Sequence, residues 1–455
     1  MTLLQRVLAH PEQYRFDVET LGPCRVESPV RNRAFLDEGA RCLLTHDPAP
    51  LAACAARGVP PPSFEKAGPR RLIFHDPVWS RAAILTAGGL CPGFNHVIKG
   101  LVEILAVEYG VRTIYGIRYG YRGLSSHQDA TPLMLDPDVV DTIHERGGTI
   151  LGSSRGAQPV EEMVDTLVRM NINLLFCIGG DGTLRGAHAI AEECRRRHCA
   201  ISVVGVPKTV DNDLNFIGPS FGFATAVGET SAIIQAAHME AKGAVNGIGL
   251  VKLMGRDSGF IAAYAALANP VVNFCLIPES PFTLDGPGGL LAALEIRFAA
   301  GKDHAVIVAA EGAGQDLIAG EAATRDASGN LLKKDIGDCL RRAIAAHFAS
   351  RGIEVNIKYF EPSYAIRSVP AKGTDAIHCY LLARHAVHAA MAGRTDCVVG
   401  NTLHGDSYSL VPIELATRER QKIDTDGNLW KAVLDATGQD RLLSLPTPNL
   451  DATPA

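Results

Sequence analysis

From about residue 80 onward, short apolar runs rich in β-branched residues alternate with longer helical patterns. That alternation is the strongest constraint on the fold, because parallel strands need crossover connections and helices supply them. The strand candidates are 81–87 (RAAILTA), 111–118 (VRTIYGIR), 173–179 (NLLFCIG), 200–206 (AISVVGV), 247–254 (GIGLVKLM), 271–278 (VVNFCLIP), 304–311 (HAVIVAAE) and 354–360 (EVNIKYF). Most are near-continuously apolar, as strands covered on both faces are. Two such α/β lobes are expected.

The flanks differ. Residues 1–75 cluster prolines at Pro48, Pro50 and Pro60 to Pro62 and show no βα alternation, so they read as an N-terminal extension. After Pro412 the pattern decays into ELATRERQKID and a tail ending DATPA, which predicts one helix and then a loosely held end. Hydrophobic residues make up 47% of the chain and charged ones 20%, enough for large cores and too apolar for a disordered protein. The formal charge of −5 provides no general basic field, which argues against a nucleic-acid partner and requires locally placed cations for any anionic substrate. Eleven scattered cysteines without a Cys-x-x-Cys pair suggest free thiols in a reducing compartment. The first residues lack the apolar core of a signal peptide, and no apolar stretch is long enough to span a membrane. A cytoplasmic protein is expected.

Three glycine-bearing or acidic loops carry the chemistry. TAGGLCPGFN at 86–95 stands between a strand and a helix, where Gly88, Gly89 and Gly93 permit tight turns and the helix N-terminus favours an anion; a plain strand-to-helix turn reads equally well. IGGDGTLRGA at 178–187 repeats the arrangement, with backbone donors at Gly179, Gly180 and Gly182. Its Asp181 is placed to reach a phosphate-bound Mg²⁺, or alternatively to cap the helix. PKTVDND at 207–213 places Lys208, Thr209, Asp211 and Asp213 after a strand. In an extended segment the two carboxylates point the same way, so one can take a hydroxyl proton while the other holds or orients the metal end; a surface turn rich in Asp and Asn is the alternative. Downstream, Arg256 in KLMGRDSGF, Glu311 in VAAEGAG, and Lys358, Tyr364 and Arg367 in KYFEPSYAIRSVPA lie at or beyond strand ends, where open α/β sheets bind ligands. His385 and His388, three apart on an alanine-rich stretch, read as packing or solvent-facing residues rather than metal ligands.

Taken in order, TAGGLCPGFN, IRYGYRGL, LGSSRG, GGDGT, PKTVDND, MGRDSGF, IPE, AEG and Y-x-x-R resemble the motif series of the 6-phosphofructokinases, over residues 84–400 or so. GGDGT alone is shared with NAD kinases and lipid kinases; the rest of the series is not. The long extension with PKTVDND, KLMGR and KYFEPSY is most similar to the plant-type branch, which has bacterial and protozoan members.

The resemblance implies two three-layer parallel-sheet lobes with the active site in the cleft between them. The nucleotide lobe would span 76–222 and 366–415, the sugar lobe 223–365, and a C-terminal tail 416–455. It implies phosphoryl transfer from MgATP to the 1-hydroxyl of fructose 6-phosphate in a homodimer or homotetramer. Asp211 would be the base, with Thr209, Asp213, Lys208 and Arg256 completing the catalytic set. Asp181 would be the Mg²⁺-associated aspartate, and Gly89, Tyr121, Arg155, Gly180, Gly182 and Thr183 the nucleotide side. Thr209 and Asp211, with Met254, Gly255, Arg256, Glu311, Lys358, Tyr364 and Arg367, would face the sugar phosphate, Lys358 matching an arginine that the bacterial type takes from a neighbouring subunit. Gly247 stands where that type has a second such arginine, and Lys99 and Glu103 where it has two effector-site arginines, so neither contact carries over.

The same resemblance frames the donor. Pyrophosphate enzymes usually carry an aspartate at the place of Gly182 and a lysine at the place of Lys208, so the two positions point in opposite directions. An aspartate at 182 would crowd and repel the α-phosphate of a nucleotide, whereas a cation at 208 serves either donor; ATP is therefore expected, with pyrophosphate as the alternative. An inactive regulatory subunit is the remote alternative, opposed by the intact Asp181, Asp211, Asp213 and Arg256.

Overall fold

The computed structural model describes residues 2–31, 34–125, 131–318, 324, 331–401, 407–439 and 443. Its described residues form two compact units, the first made of 2–225 and 367–421, the second of 226–366 and 422 onward.

The first unit is built on a sheet whose strands run, in spatial order, Arg41–Leu43, Ser63–Lys66, Tyr408–Pro412, Cys397–Asn401, Ser202–Pro207, Leu174–Gly179, Arg81–Thr86, Thr113–Ile117 and Leu133–Met134. The middle of the sheet, from Cys397–Asn401 to Thr113–Ile117, is parallel. Leu174–Gly179 and Ser202–Pro207 are buried along their whole length, which is why their sequence is apolar without alternation. Both outer edges are antiparallel. The extension therefore does contribute strands: Arg41–Leu43 and Ser63–Lys66 continue the sheet beyond Tyr408–Pro412. Its first helix, Leu3–Ala9, is fixed at the N-terminus by a reciprocal capping box between Thr2 and Gln5, and buries Leu3 and Val7 in the unit's core.

The second unit has a wholly parallel sheet in the order Phe274–Leu276, His304–Ala310, Gly247–Leu253 and Asn356–Phe360. The helices Leu290–Ala299 and Ile336–Ser350 bury Leu291, Leu294, Leu340, Ile344 and Phe348 against it. The segment after Gln421 packs here as well. Gln439, on its side chain, accepts from Cys275 N at 2.6 Å and donates to Cys275 O at 3.1 Å, and so closes the exposed edge of Phe274–Leu276 as a neighbouring strand would. The final DATPA, expected to be loosely held, lies outside the described residues. Among the described residues, no helix is long and apolar enough to cross a membrane.

Candidate active site

In the first unit, three loops leave the same end of adjacent parallel strands. The loop after Arg81–Thr86 turns through Gly88 at φ 90° and Gly93 at φ 109°, conformations that strain any residue with a Cβ. The LGSSRG loop is fastened to it: Gly88 N donates to Ser154 O at 3.1 Å and the Ser153 hydroxyl donates to Gly88 O at 2.5 Å. A methyl group at Gly89 would lie 3.0 Å from Arg367 Nη1 and 3.3 Å from Arg155 Nη2. Lys208 Nζ donates to Gly89 O at 2.9 Å and lies 5.4 Å from the centre of the Phe94 ring. Three cationic side chains thus gather on one glycine turn, and burial pulls the Lys208 ammonium below the ordinary lysine range.

The second loop opens the Asp181–Arg196 helix. Gly180 is its N-cap residue and Asp181 sits in its first turn, so the side-chain cap reading of Asp181 does not apply. Asp181 Oδ1 accepts from Arg185 Nε at 3.0 Å, one helical turn on. A Cβ at Gly182 would meet nothing within 4 Å, whereas Thr183 is buried and packs back on Gly179. Tyr121 departs from the nucleotide-side expectation: its ring is 8% exposed, its hydroxyl donates to Thr183 O, and burial pushes its pKa well above the ordinary phenol value. It braces the start of the helix from within the core.

The third loop corrects the expectation of an extended segment. Asn212 adopts φ 54° and its side-chain oxygen accepts from Ser220 N at 3.0 Å, so the chain turns between the two aspartates. Asp213, 7% exposed, accepts the Thr209 hydroxyl at 2.7 Å through Oδ1. Thr209 Oγ1 in turn accepts from Asp211 N at 3.2 Å. Arg420 Nε stands 3.7 Å from Asp213 Oδ2. The carboxylates do not work side by side; Asp213 is spent on Thr209, and Thr209 holds the backbone of Asp211.

In the second unit, Gly247–Leu253 ends in a turn with Gly255 at φ 144° and Arg256 at φ 49°. Glu311, just beyond His304–Ala310, holds that turn: its Oε1 accepts from Arg256 N at 2.9 Å and from Gly255 N at 3.4 Å. Met254 is half-buried. Lys358 Nζ lies 4.0 Å from Glu240 Oε2, and Tyr364 is 75% exposed. The Y-x-x-R pair is therefore divided, with Tyr364 in the second unit and Arg367 on the Gly89 turn of the first.

One charged side chain of Gly247–Leu253 carries no sequence signal. Lys252, 8% exposed, is clamped between Asp335 Oδ1 and Glu361 Oε1, each at 2.9 Å. Lys99 and Glu103 pair with each other at 2.8 Å. His388, wholly buried, lies 2.8 Å from the Tyr109 hydroxyl, a packing role as expected. Among the described residues, the group of side chains able to gather on a metal is His188, Glu192 and Asp396, which does not include Asp181. A lone carboxylate suits Mg²⁺, which is commonly held by one or two carboxylates and the phosphates of its substrate.

Comparison with known proteins matches this arrangement to one family. The phosphofructokinase family profile covers residues 81–390. The chain belongs to the phosphofructokinase family. It is 50% identical to the ATP-dependent 6-phosphofructokinase of Borreliella burgdorferi over 83% of this chain and 85% of that one. It is 48% identical to the ATP-dependent 6-phosphofructokinase of Amycolatopsis methanolica over 93% and 94%, and 47% identical to ATP-dependent 6-phosphofructokinase 7 of Arabidopsis thaliana over 84% and 78%. The fold is that of the pyrophosphate-dependent phosphofructokinase of Marinobacter aquaeolei, with a TM-score of 0.62 at 20% identity over 82% of this chain and 95% of that one.

Proposed function

We propose that this phosphofructokinase transfers the γ-phosphoryl group of ATP to the 1-hydroxyl of fructose 6-phosphate, giving fructose 1,6-bisphosphate and ADP. The observation that carries the reading is the turn after Ser202–Pro207, where Asp213 and Thr209 fix the backbone of Asp211. A base whose main chain is held in this way presents its carboxylate in one place, and proximity of that kind lowers the barrier without new charge. Asp211 takes the proton of the sugar 1-hydroxyl as its oxygen attacks phosphorus.

The first unit carries the donor side. Open space at Gly182 admits a nucleotide phosphate, and Arg155 lies beside the Gly89 turn. Lys208, the residue that speaks for pyrophosphate, has its charge engaged by Gly89 O and the Phe94 ring. Asp181 would hold Mg²⁺, which when bound neutralises charge on the phosphate oxygens. The second unit carries the acceptor side, with Arg256 set by Glu311 to meet charge developing on the transferred group.

The relatives in Arabidopsis thaliana, Trypanosoma cruzi and Entamoeba histolytica, at 44–47% identity, support placement in the plant-type branch. Eleven free cysteines support a reducing, cytoplasmic location, and an assembly of two or four copies belongs to the same reading. The test is Asp211→Asn: kcat should fall by at least ~10² with the KM for fructose 6-phosphate within about threefold of wild type, as for loss of a positioned base. Near-normal turnover would sink the assignment.

A further inference from the structure

The segment 416–421 runs past both acidic loops of the first unit and touches each. The Arg185 guanidinium, whose Nε donates to Asp181, donates through Nη2 to Thr417 O at 2.8 Å. Asn215, two residues beyond Asp213, donates to Glu419 O at 2.5 Å through its side chain and to Ala416 O at 3.3 Å through its backbone. Gln421 N donates to Asp213 O at 2.8 Å, and Arg420 Nε faces Asp213 Oδ2 at 3.7 Å. The segment is fastened from its other side by the N-terminal extension. Arg6 Nη2, on the Leu3–Ala9 helix, pairs with Glu419 Oε2 at 2.5 Å, and the Arg418 guanidinium stands 5.0 Å from the centre of the Tyr14 ring.

We infer that Arg420 is a positioning residue for phosphoryl transfer, and that the N-terminal helix keeps it in place through Glu419. The inference rests on the reading of Asp211 as base. A buried carboxylate is costly unless both of its oxygens are partnered. Thr209 donates to Asp213 Oδ1, and Arg420 faces Oδ2. With Oδ2 turned to Arg420, Oδ1 is held on the Thr209 hydroxyl, and Thr209 Oγ1 keeps a lone pair for the Asp211 amide. Without Arg420 the carboxylate can turn off Thr209, and the hydroxyl that fixes the Asp211 backbone loses its own anchor. Lys208, at the head of the same loop, also interacts with Asp213, whereas replacing Arg420 leaves the loop sequence intact.

The experiment uses the full chain with Arg420→Ala, Arg420→Lys and Arg6→Ala. For Arg420→Ala, kcat should fall about 10- to 50-fold, with the KM for fructose 6-phosphate within about threefold of wild type. Arg420→Lys, which keeps the cation, should recover most of the loss. Arg6→Ala should lower kcat about threefold while leaving the unfolding midpoint within about 2 °C, since an exposed ion pair contributes little to stability. Arg420→Ala with wild-type kcat overturns the inference; so does a Lys variant no better than the Ala variant. Should Arg420→Ala fail to fold, the Lys variant and Arg420→Gln carry the same comparison. Wild type inactive with every donor would refute the proposed reaction instead. Amide exchange at Asp211 would then decide this inference, with about tenfold faster exchange expected in Arg420→Gln and an unchanged rate overturning it.

Discussion

Gly182→Asp separates the two donor readings with one side chain. The substitution fits the fold: a Cβ there meets nothing within 4 Å, and the site lies in the first turn of the Asp181–Arg196 helix, where a carboxylate is favoured by the helix dipole. Replacing glycine by aspartate in a helix also recovers about 0.3 kcal/mol of backbone propensity, so the variant should be at least as stable as wild type. The cost falls on the nucleotide. A carboxylate about 4–5 Å from a phosphate charge, at an effective dielectric of about 20, is repelled by roughly 3–4 kcal/mol, and exposure at the helix surface cuts this to about 2 kcal/mol. That corresponds to a loss of roughly 30-fold in kcat/KM for ATP. Gly182→Asn, similar in shape and uncharged, isolates sterics from charge and should lose only a few-fold. The assay is fructose 1,6-bisphosphate formation at varied ATP, beside a thermal melt of each variant. An Asp variant that melts like wild type and uses ATP within twofold of wild type would refute the reasoning, since Gly182 would then have no bearing on the donor.

Thr209→Val keeps the shape of a buried side chain but removes the hydroxyl between Asp213 and the Asp211 amide; it should cost about 1.5–3 kcal/mol in urea unfolding and lower kcat, whereas Thr209→Ser should retain both. An unchanged midpoint would show that the bonds are not formed. Glu311→Leu should release the left-handed turn at Arg256 and lower kcat/KM for fructose 6-phosphate about 10²-fold, with Glu311→Gln, which keeps an acceptor, losing less; equal losses would show that charge rather than the turn is at stake. Burial pushes His75 and His385 down to about 4. Because the folded state holds these imidazoles below their unfolded value, it binds fewer protons than the unfolded chain in that interval. Their contribution is complete above about pH 6.5 and is lost as pH falls toward about 4, by about 3 kcal/mol each. Urea midpoints at pH 7.5 and 4.5 should therefore fall steeply in wild type and less in His75→Asn, and a flat profile would contradict it.

The central strands were legible because a strand buried on both faces has no room for polar residues, and Leu174–Gly179 and Ser202–Pro207 are such strands. The antiparallel side of the first sheet was not: Ser63–Lys66 is mostly half-buried and follows three prolines, so its pattern resembles a loop. The glycine turns were legible for the same kind of reason, since Gly88 and Gly93 occupy backbone conformations that other residues strain to reach. The inward turn of Asp213 was only hinted at by Asn212, a residue type that tolerates positive φ, and Arg420 reaches it from a distant segment. The burial of Tyr121 against Gly186 and Thr183 was not legible either, since it depends on the packed helix. The resemblance gives Tyr364 and Arg367 to the sugar as a pair, and only the structure shows that the chain passes from one unit to the other between them.

Donor and reaction are both decided by the steady-state rate of fructose 1,6-bisphosphate formation from fructose 6-phosphate and Mg²⁺, with ATP and pyrophosphate offered separately. Turnover with ATP and none of consequence with pyrophosphate is expected. Turnover with pyrophosphate alone would mean that Lys208 outweighs the open space at Gly182, and turnover with neither would contradict the proposed reaction itself.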